Sequence, residues 1–559
     1  MRIRSTMTRI AIPAVAIGML LSGCGGTTTG TGSSDLGTTS DINPHDVADL
    51  RDGGNFRVPI GEFPQNWNTL QIDGNQIDYT TVERPMMPQA FRVDAAGVPH
   101  LDTDYFTSVE LTGTDPQQVT YTINPKAVWS DGTPITWEDI ASQAEALSGR
   151  NPGYLLATNG GFDRVAKVER GVDDRQAVLT YSKHFGEWKG QFAGNTFLFP
   201  KSVTSTPEAF NKSIANEIKV TSGPFVVQST DRTQGRITLA RNPKWWGAPP
   251  KLDTITFSVL DQPAWVPALQ NNELDAVGIS GISDRADFVT AQGIPDVAIH
   301  RAPAVQWSHL TFNGAPGSIL ADPKLRVAIA KAIDRQGIAN AIQNGLVANP
   351  KPLNNHIYVA GQKGYQDNSL PFDPDAAARE LDALGWKLNG DVREKDGRKL
   401  EIRDVMYNQP SWVQMAQIMQ QTLAKIGVKL TIDTRPAQGL FTNVFQKGDF
   451  DLAQFSWVGD PFPLGNINQI WGYNPNDMQG NFGRIGSPEL NDQIERTVSE
   501  LDPNKAIELA NQTDQQIWAE GHSLTLLQSA GIIPARSNVA NYGAFGLATP
   551  DWTKVGFLK

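Results

Sequence analysis

Cys24 carries the most reactive side chain of the sequence and is its only cysteine among 559 residues. It directly follows Leu21, Ser22 and Gly23, at the end of a short apolar run. A lone cysteine can form no internal disulfide, and it offers no sulfur-ligated metal site to the rest of the chain. The pattern therefore indicates a thiol used for covalent attachment.

The segment before Cys24 has the features of a secretory signal. Arg2, Arg4 and Arg9 form a basic start, and residues 10–21 are apolar. That run fits the ~7–15 residues of a signal core and is shorter than the ~20 residues of a membrane-spanning helix. The small-residue site ending in cysteine resembles a bacterial lipobox, which predicts cleavage after residue 23, a lipid on Cys24 and a place on the outer face of the cell membrane. The alternative is a chance cysteine in an ordinary signal peptide.

Other chemistry has little support in the sequence. HExxH, GxSxG, GxxxxGK[ST] and EF-hand patterns do not occur, and the seven histidines are scattered. We therefore predict no catalytic residues, no metal site and no cofactor, and a protein that is not an enzyme. The net charge of −11 also argues against nucleic acid as a partner, because nucleic-acid binders present basic faces.

The remaining chain reads as alternating strands and helices. Four helix starts combine a capping residue with acids or proline in the first turn, at residues 136–139, 322–323, 373–374 and 487–488. An apolar strand pattern covers 450–457, and 428–432 alternates as a strand after the helix break at Gly427. Residues 25–40 are almost entirely Gly, Thr and Ser, so a flexible tether is predicted over 24–51.

Six motifs in order resemble the solute-binding proteins of peptide-type ABC importers, extracellular solute-binding protein family 5. The resemblance covers nearly the whole chain after residue 51. The motifs lie at 121–140, 221–225 with 241–246, 272–276, 310–313, 322–335 and 450–460.

This resemblance implies an α/β, two-lobed periplasmic-binding-protein-like fold with mixed sheets and a hinge. Lobe I would combine residues 52–90, 220–308 and 525–559. An inserted subdomain would occupy 91–219, and lobe II would occupy 309–524. Lobes of this kind close on a ligand by hinge bending, and an interlobe site is buried as they close.

The resemblance also implies a ligand site at the segment 456–460. Asp460 matches a family aspartate that meets the α-amino group of a bound peptide, and Trp457 would form a pocket wall. The alternative is that Asp460 caps a turn and Trp457 is core. The chain departs from the family by having Pro-Phe-Pro after the aspartate, so Phe462 would make the cleft more apolar and the peptide specificity is open.

The second candidate is the loop that contains Asn66 and Trp67. In the family the equivalent loop lines the cleft, so both residues are expected to contact ligand. The alternative for Trp67 is a buried core position.

Together these features predict a monomeric, lipid-anchored receptor that captures peptides or peptide-like solutes and delivers them to ABC permease and ATPase subunits. The alternative is a non-transporting envelope lipoprotein of the same fold, with a regulatory role in cell-envelope glycolipid assembly.

Overall fold

Local capping chemistry sets where the helices begin in the computed structural model, which describes residues 40–436, 439–476 and 478–559. The Asp139 carboxylate accepts the backbone N–H of Thr136 at 2.9 Å, as the capping-box pattern predicts. The caps Asp322, Asp373 and Ser487 likewise accept backbone N–H groups of their own first turns, each with a proline at the helix start. All four predicted helix starts are confirmed.

The described residues form thirteen α-helices that cover the sheets and connect them. They are Ile77–Glu83, Trp137–Leu147, Lys201–Thr204, Pro207–Lys212, Trp265–Gln270, Arg285–Gln292, Pro323–Lys331, Arg335–Gln343, Pro374–Ala383, Pro410–Ala424, Ile467–Trp471, Pro488–Ser499 and Pro503–Ala519.

The sheet of lobe I has four strands, drawn from distant parts of the chain. Their order across the sheet is Asn55–Ile60, Thr254–Val259, Arg236–Arg241 and Phe225–Asp231. The first pair is parallel and the others are antiparallel. The C-terminal part of the chain packs against this sheet, since the rings of Phe56 and Tyr542 lie 4.7 Å apart.

A second four-stranded sheet lies in the inserted segment. It is entirely antiparallel, in the order Phe106–Thr114, Gln117–Ile123, Gln176–Tyr181 and Val165–Arg170. The helix Trp137–Leu147 packs on its last two strands, which gives this segment its own layer of helix on sheet.

The sheet of lobe II has five mixed strands. Their order is Lys429–Arg435, Glu401–Tyr407, Leu452–Val458, Gln306–Phe312 and Ser523–Gln528. The first three strands are parallel to one another, and each of the last two runs antiparallel to the strand before it. The predicted strands at 428–432 and 450–457 are therefore confirmed with shifts of one to three residues at their ends.

Smaller sheets pair Phe91–Val93 with Pro99–Leu101, Val539–Ala540 with Gly556–Phe557, and Lys387–Asn389 with Val392–Lys395 and Arg398–Lys399.

Two adjacent chain crossings connect the lobes, at residues 302–305 and 529–531, so the predicted lobe boundaries at 308 and 525 need a correction of a few residues. The strands Val297–Arg301 and Ile532–Arg536 pair in antiparallel fashion beside lobe I, and the chain then passes into the lobe II strands Gln306–Phe312 and Ser523–Gln528. Between them the backbone N–H of Ala302 donates to the carbonyl of Gly531 at 3.2 Å. Gly531 has a φ of +58°, and a Cβ there would lie 1.9 Å from the Ala302 oxygen, so the contact requires glycine.

The predicted tether needs a correction at its C-terminal end. Asp41 bonds to the backbone of Ala544 and to the His300 ring at 2.9 Å, and Leu50 is buried. The chain is therefore fixed to lobe I from Asp41 onward, because a carboxylate and an apolar side chain in this segment have partners there.

Cys24, the predicted signal 1–23 and the rest of the tether lie outside the described residues. None of the helices in the described ranges has the length and apolar character that a bilayer span requires.

Candidate functional site

A cleft of about 1890 Å³ lies between the two lobes and the inserted segment. Lobe I contributes the loop around Asn66, the inserted segment contributes residues 149–159, and lobe II contributes strand ends and the loop 478–484. Ser529 and Gly531 of the hinge crossing also line it. Its volume exceeds the ~300–1,000 Å³ of a typical small-molecule pocket, so the space suits an extended ligand.

The polar lining of the cleft consists mainly of uncharged amides. Among the described lining residues, formal charges are found on Glu62, Asp73 and Arg484. The amides are Gln65, Asn66, Asn75, Gln76, Asn151, Asn159, Asn211, Gln262, Gln306, Gln343, Gln409, Gln446, Gln469, Asn476, Gln479 and Gln528. An amide side chain offers both a donor and an acceptor, so this lining matches ligands that carry alternating N–H and C=O groups.

One wall of the cleft is aromatic. The rings of Trp457 and Phe482 stack with an interplanar angle of 3° and a centroid distance of 6.2 Å. Phe441 packs at 5.7 Å against Phe482, and all three line the cleft. Phe455 contacts each of them from behind, which fixes the wall in place.

Two of the predicted site residues lie in the cleft. Trp457 is partly exposed and sits near the end of the strand Leu452–Val458, opposite Trp307 of the next strand. Asn66 also lines the cleft, although most of its side chain is buried. The Asn66 amide donates to the carbonyl of Asn211 at 3.0 Å and accepts from the N–H of Asn68, so it joins the first loop to the inserted segment.

Trp67 does not fit the expected role of a ligand platform. Its side chain is 0% exposed and belongs to the core of lobe I. The buried alternative for Trp67 is therefore the one that the structure shows.

The Asp460 carboxylate faces the inserted segment instead of the cleft lining. Its two oxygens accept the backbone N–H groups of Phe462 at 2.8 Å and Asn195 at 3.2 Å. Burial raises the pKa of Asp460 to about 6, although the two N–H groups and the Arg84 guanidinium act to lower it. Arg84 in turn donates to the Gly194 carbonyl and the Asn195 side chain, both at 3.0 Å.

Phe462 also packs against the inserted segment, where a Cβ on Gly190 would lie 2.9 Å from it. It is half-buried there and is not found among the described lining residues of the cleft. Pro461 and Pro463 turn the chain away after the strand, and this turn carries Asp460 and Phe462 out of the cleft wall.

Asp460 and Phe462 are part of a larger contact between the inserted segment and lobe II, called here the interlobe contact. It also includes the pairs Arg164–Glu495 and Glu187–Gly465. The Arg164 guanidinium bonds both oxygens of Glu495, at 2.6 and 3.1 Å, and Glu187 accepts the N–H of Gly465 at 2.9 Å.

Two acids of the interlobe contact, Glu187 and Asp460, have raised pKa values. Burial raises the pKa of Glu187 to about 8, and the nearby Asp460 charge adds to the increase. In the described ranges, no cluster of three or more His, Cys, Asp or Glu residues could hold a metal ion.

The sequence pattern did not reveal Arg484, the aromatic partner Phe482 or the pair Arg164–Glu495. Each depends on chain segments that are far apart in sequence, and none carries a local motif. Gln262, Gln306 and Gln343 are single amides in their segments, and a single amide does not indicate which face of an element it occupies.

Comparison with known sequences places the chain among extracytoplasmic binding proteins. The model of the bacterial extracellular solute-binding proteins, family 5, matches residues 98–479. The oligopeptide-binding protein OppA of Mycobacterium tuberculosis (strain ATCC 25618 / H37Rv) is 52% identical over 554 residues, which cover 98% of this chain and 93% of that protein.

Solved structures share the fold over nearly the whole chain. The periplasmic EDTA-binding protein EppA superposes with a TM-score of 0.84 at 24% identity, covering 93% of this chain and 99% of that one. The oligopeptide-binding protein AppA from Bacillus subtilis, in complex with a nonapeptide, gives a TM-score of 0.76 at 17% identity, covering 91% and 100%. At these identities the likeness concerns the fold alone.

Proposed function

The chain belongs to the bacterial extracellular solute-binding proteins of family 5, and from this membership we propose that it is the peptide-capturing receptor of an ABC importer. The ligand would be an extended peptide or peptide-like solute held between the lobes. Closure about the two crossings at residues 302–305 and 529–531 would bury it.

The observation that carries this proposal is the interlobe cleft with its amide lining. A volume of about 1890 Å³ accommodates several residues of extended chain. Side-chain amides pair with the N–H and C=O groups that every peptide repeats, so the lining suits peptides of varied sequence. The 52% identity to an oligopeptide-binding protein over nearly the full chain favours the same ligand class.

Two of the predicted residues are proposed as ligand contacts. Trp457 offers a flat apolar surface on the aromatic wall, and Asn66 offers an amide on the opposite side. Asp460 is proposed to act in the interlobe contact, because both of its oxygens accept N–H groups there. A peptide ammonium would have to displace the Asn195 N–H in order to reach it.

The alternative of a regulatory envelope lipoprotein is not favoured by the relatives. Export, a lipid on Cys24 and the role of a monomeric receptor for ABC permease and ATPase subunits belong to the proposal. Labelled palmitate incorporated into the full chain, and lost in Cys24→Ser, would support the anchor. Unchanged labelling in that variant would refute it.

Binding of peptides is tested on the purified residues 40–559. Native mass spectrometry would identify co-purifying ligands, and a thermal-shift screen of a di- to pentapeptide library would find further ones. We expect peptide adducts and a raised melting temperature with a subset of the library. The absence of both would reject peptide capture.

A further inference from the structure

Arg484 differs from the other residues of the cleft because it is a cation in a lining of amides and aromatic rings. Among the described lining residues no other lysine or arginine is present, and the acids Glu62 and Asp73 come from the lobe I loop. Arg484 belongs to the lobe II loop, in the segment that also contributes Phe482 to the aromatic wall.

The guanidinium of Arg484 is held in a fixed position by backbone groups. Its Nη1 donates to the carbonyl of Phe482 at 2.8 Å, and its Nη2 donates to the carbonyl of Gln446 at 2.5 Å. The plane of the group lies close over Gly448, where a Cβ would be 2.7 Å from Nη1 and 2.9 Å from Cζ. A side chain at position 448 would therefore displace the guanidinium.

The backbone at both positions is specialised for this arrangement. Arg484 has a φ of +54° and Gly448 a φ of +71°. The left-handed conformation is common for glycine but costs energy for arginine. The contacts of the guanidinium with Phe482, Gln446 and Gly448 hold Arg484 in this strained conformation, which is a pattern often found at binding sites.

No carboxylate neutralises this cation within the described residues. The ion pairs of the described part of the chain do not include Arg484, whereas Arg57, Arg164 and Arg393 each pair with a carboxylate. Burial lowers the pKa of Arg484, and no acidic group acts to raise it. Three of the five N–H donors of an arginine remain for another acceptor once the two carbonyls are served.

We propose that Arg484 forms a carboxylate subsite of the cleft, with the stacked rings of Trp457 and Phe482 as the adjoining apolar surface. The inference rests on the proposed function, and it narrows the ligand class to peptides that present a carboxylate beside an apolar or aromatic residue. An arginine fork is suited to this task because it can donate two parallel bonds to the two oxygens of a carboxylate.

The carboxylate of a peptide can come from its C-terminus or from an acidic side chain. The subsite lies beside the aromatic wall, and a C-terminal residue presents its own side chain next to its carboxylate. We therefore assign the subsite to the C-terminal carboxylate of a peptide that ends in an apolar or aromatic residue.

The test is a double-mutant cycle by isothermal titration calorimetry. The probes are an alanine-based pentapeptide ending in phenylalanine, its C-terminal amide, and the same amide with one alanine replaced by glutamate. The proteins are wild type, Arg484→Gln and the control Arg170→Gln, which removes an exposed arginine of the inserted segment that pairs with Asp174.

For wild type and the Arg170→Gln control, we expect amidation to weaken binding by about tenfold or more, as for the loss of a charge-assisted pair. For Arg484→Gln, the free peptide should bind as weakly as the amide, and amidation should change the affinity by less than about twofold. Arg484→Lys should recover part of the discrimination, because lysine keeps the charge but loses the fork. Thermal unfolding of each variant separates a loss of fold from a loss of the subsite.

Four outcomes overturn the inference. If the acid and its amide bind wild type equally, the carboxylate has no subsite, while peptide capture stands. If amidation costs the same in Arg484→Gln as in wild type, the carboxylate binds elsewhere. If the glutamate-containing amide regains the lost affinity, the source is a side chain and the C-terminal assignment is wrong. If none of the probes binds and the peptide library also fails, the proposed function falls and the subsite falls with it.

Discussion

The interlobe contact and the cleft lie side by side between the lobes, but they differ in their content of charged side chains. The interlobe contact contains Arg164, Glu495, Glu187 and Asp460, and two of its acids have raised pKa values. The cleft beside it is lined by amides and aromatic rings, with Arg484 as its cation among the described residues. We therefore expect charged and titratable groups to stabilise the closed form, and ligand recognition to rely mainly on neutral amides and aromatic rings.

This difference has a physical reason. The interlobe contact joins the same two surfaces each time, so charged groups can be placed opposite fixed partners. A cleft that accepts varied ligands cannot provide a partner for every charge, and an unpaired buried charge costs several kcal/mol. Neutral amides avoid that cost because either water or a ligand can form hydrogen bonds with them.

The largest effect is expected from the aromatic wall. Trp457→Ala removes the stacking partner of Phe482 and a large part of the apolar contact area, so peptide affinity should fall by about 2 kcal/mol, or roughly 30-fold. Calorimetry with a peptide found in the library screen measures the change. Trp245→Ala is the matched control, since Trp245 is half-buried in lobe I away from the cleft. If Trp457→Ala binds the peptide with wild-type affinity, the aromatic wall does not contribute to ligand binding.

An intermediate effect is expected from the interlobe contact. Glu495→Gln keeps the shape of the acceptor but replaces a bidentate ion pair with Arg164 by neutral bonds. Because Glu495 is partly exposed, the loss should be about 1 kcal/mol, which weakens ligand binding about fivefold through a less stable closed form. The rate of ligand release from Glu495→Gln should rise by a similar factor, which stopped-flow fluorescence can measure.

The control for this change is Glu145→Gln, which removes an exposed pair with Arg150 that lies wholly within the inserted segment. Equal release rates in the two variants would show that the Arg164–Glu495 pair does not contribute to closure.

The smallest effect is expected from the titration of Glu187. Its folded-state pKa of about 8 lies above the usual value of 4.5, so the folded protein binds a proton that the unfolded chain releases. The stability that this proton provides is fully present below about pH 4.5 and is lost as the pH rises toward 8. Glu187→Gln keeps an acceptor for Gly465 but cannot titrate.

Urea unfolding between pH 5 and 9 measures this effect. The variant should gain stability relative to wild type as the pH rises to 8, and the difference should then stay constant. Parallel pH profiles for the two proteins would contradict the raised pKa of Glu187.

The fold and part of the site follow from the sequence because their signals are local. The cap at Thr136 and the prolines after Asp322 and Ser487 each specify a helix start within four residues. The strand that ends near Trp457 has an apolar pattern of its own, and it delivers that ring to the cleft.

The remaining features depend on long-range packing. The sequence does not show that Asp460 faces Asn195, because the two residues are far apart in the chain and meet only when the inserted segment packs on lobe II. Arg484 has no distinguishing neighbours in sequence, and its position depends on Gly448 and on the carbonyl of Gln446. The attachment of the segment from Asp41 to Leu50 also depends on distant partners, since Asp41 bonds to Ala544 and His300 of lobe I.

The two crossings between the lobes have one more consequence. Ser529 and Gly531 line the cleft, and the carbonyl of Gly531 accepts a hydrogen bond from the neighbouring crossing. In the proposed closure, a ligand that contacts this stretch would touch the same peptide units whose torsion angles change as the lobes close. Detection of the ligand and the closing motion would then be coupled within these few residues.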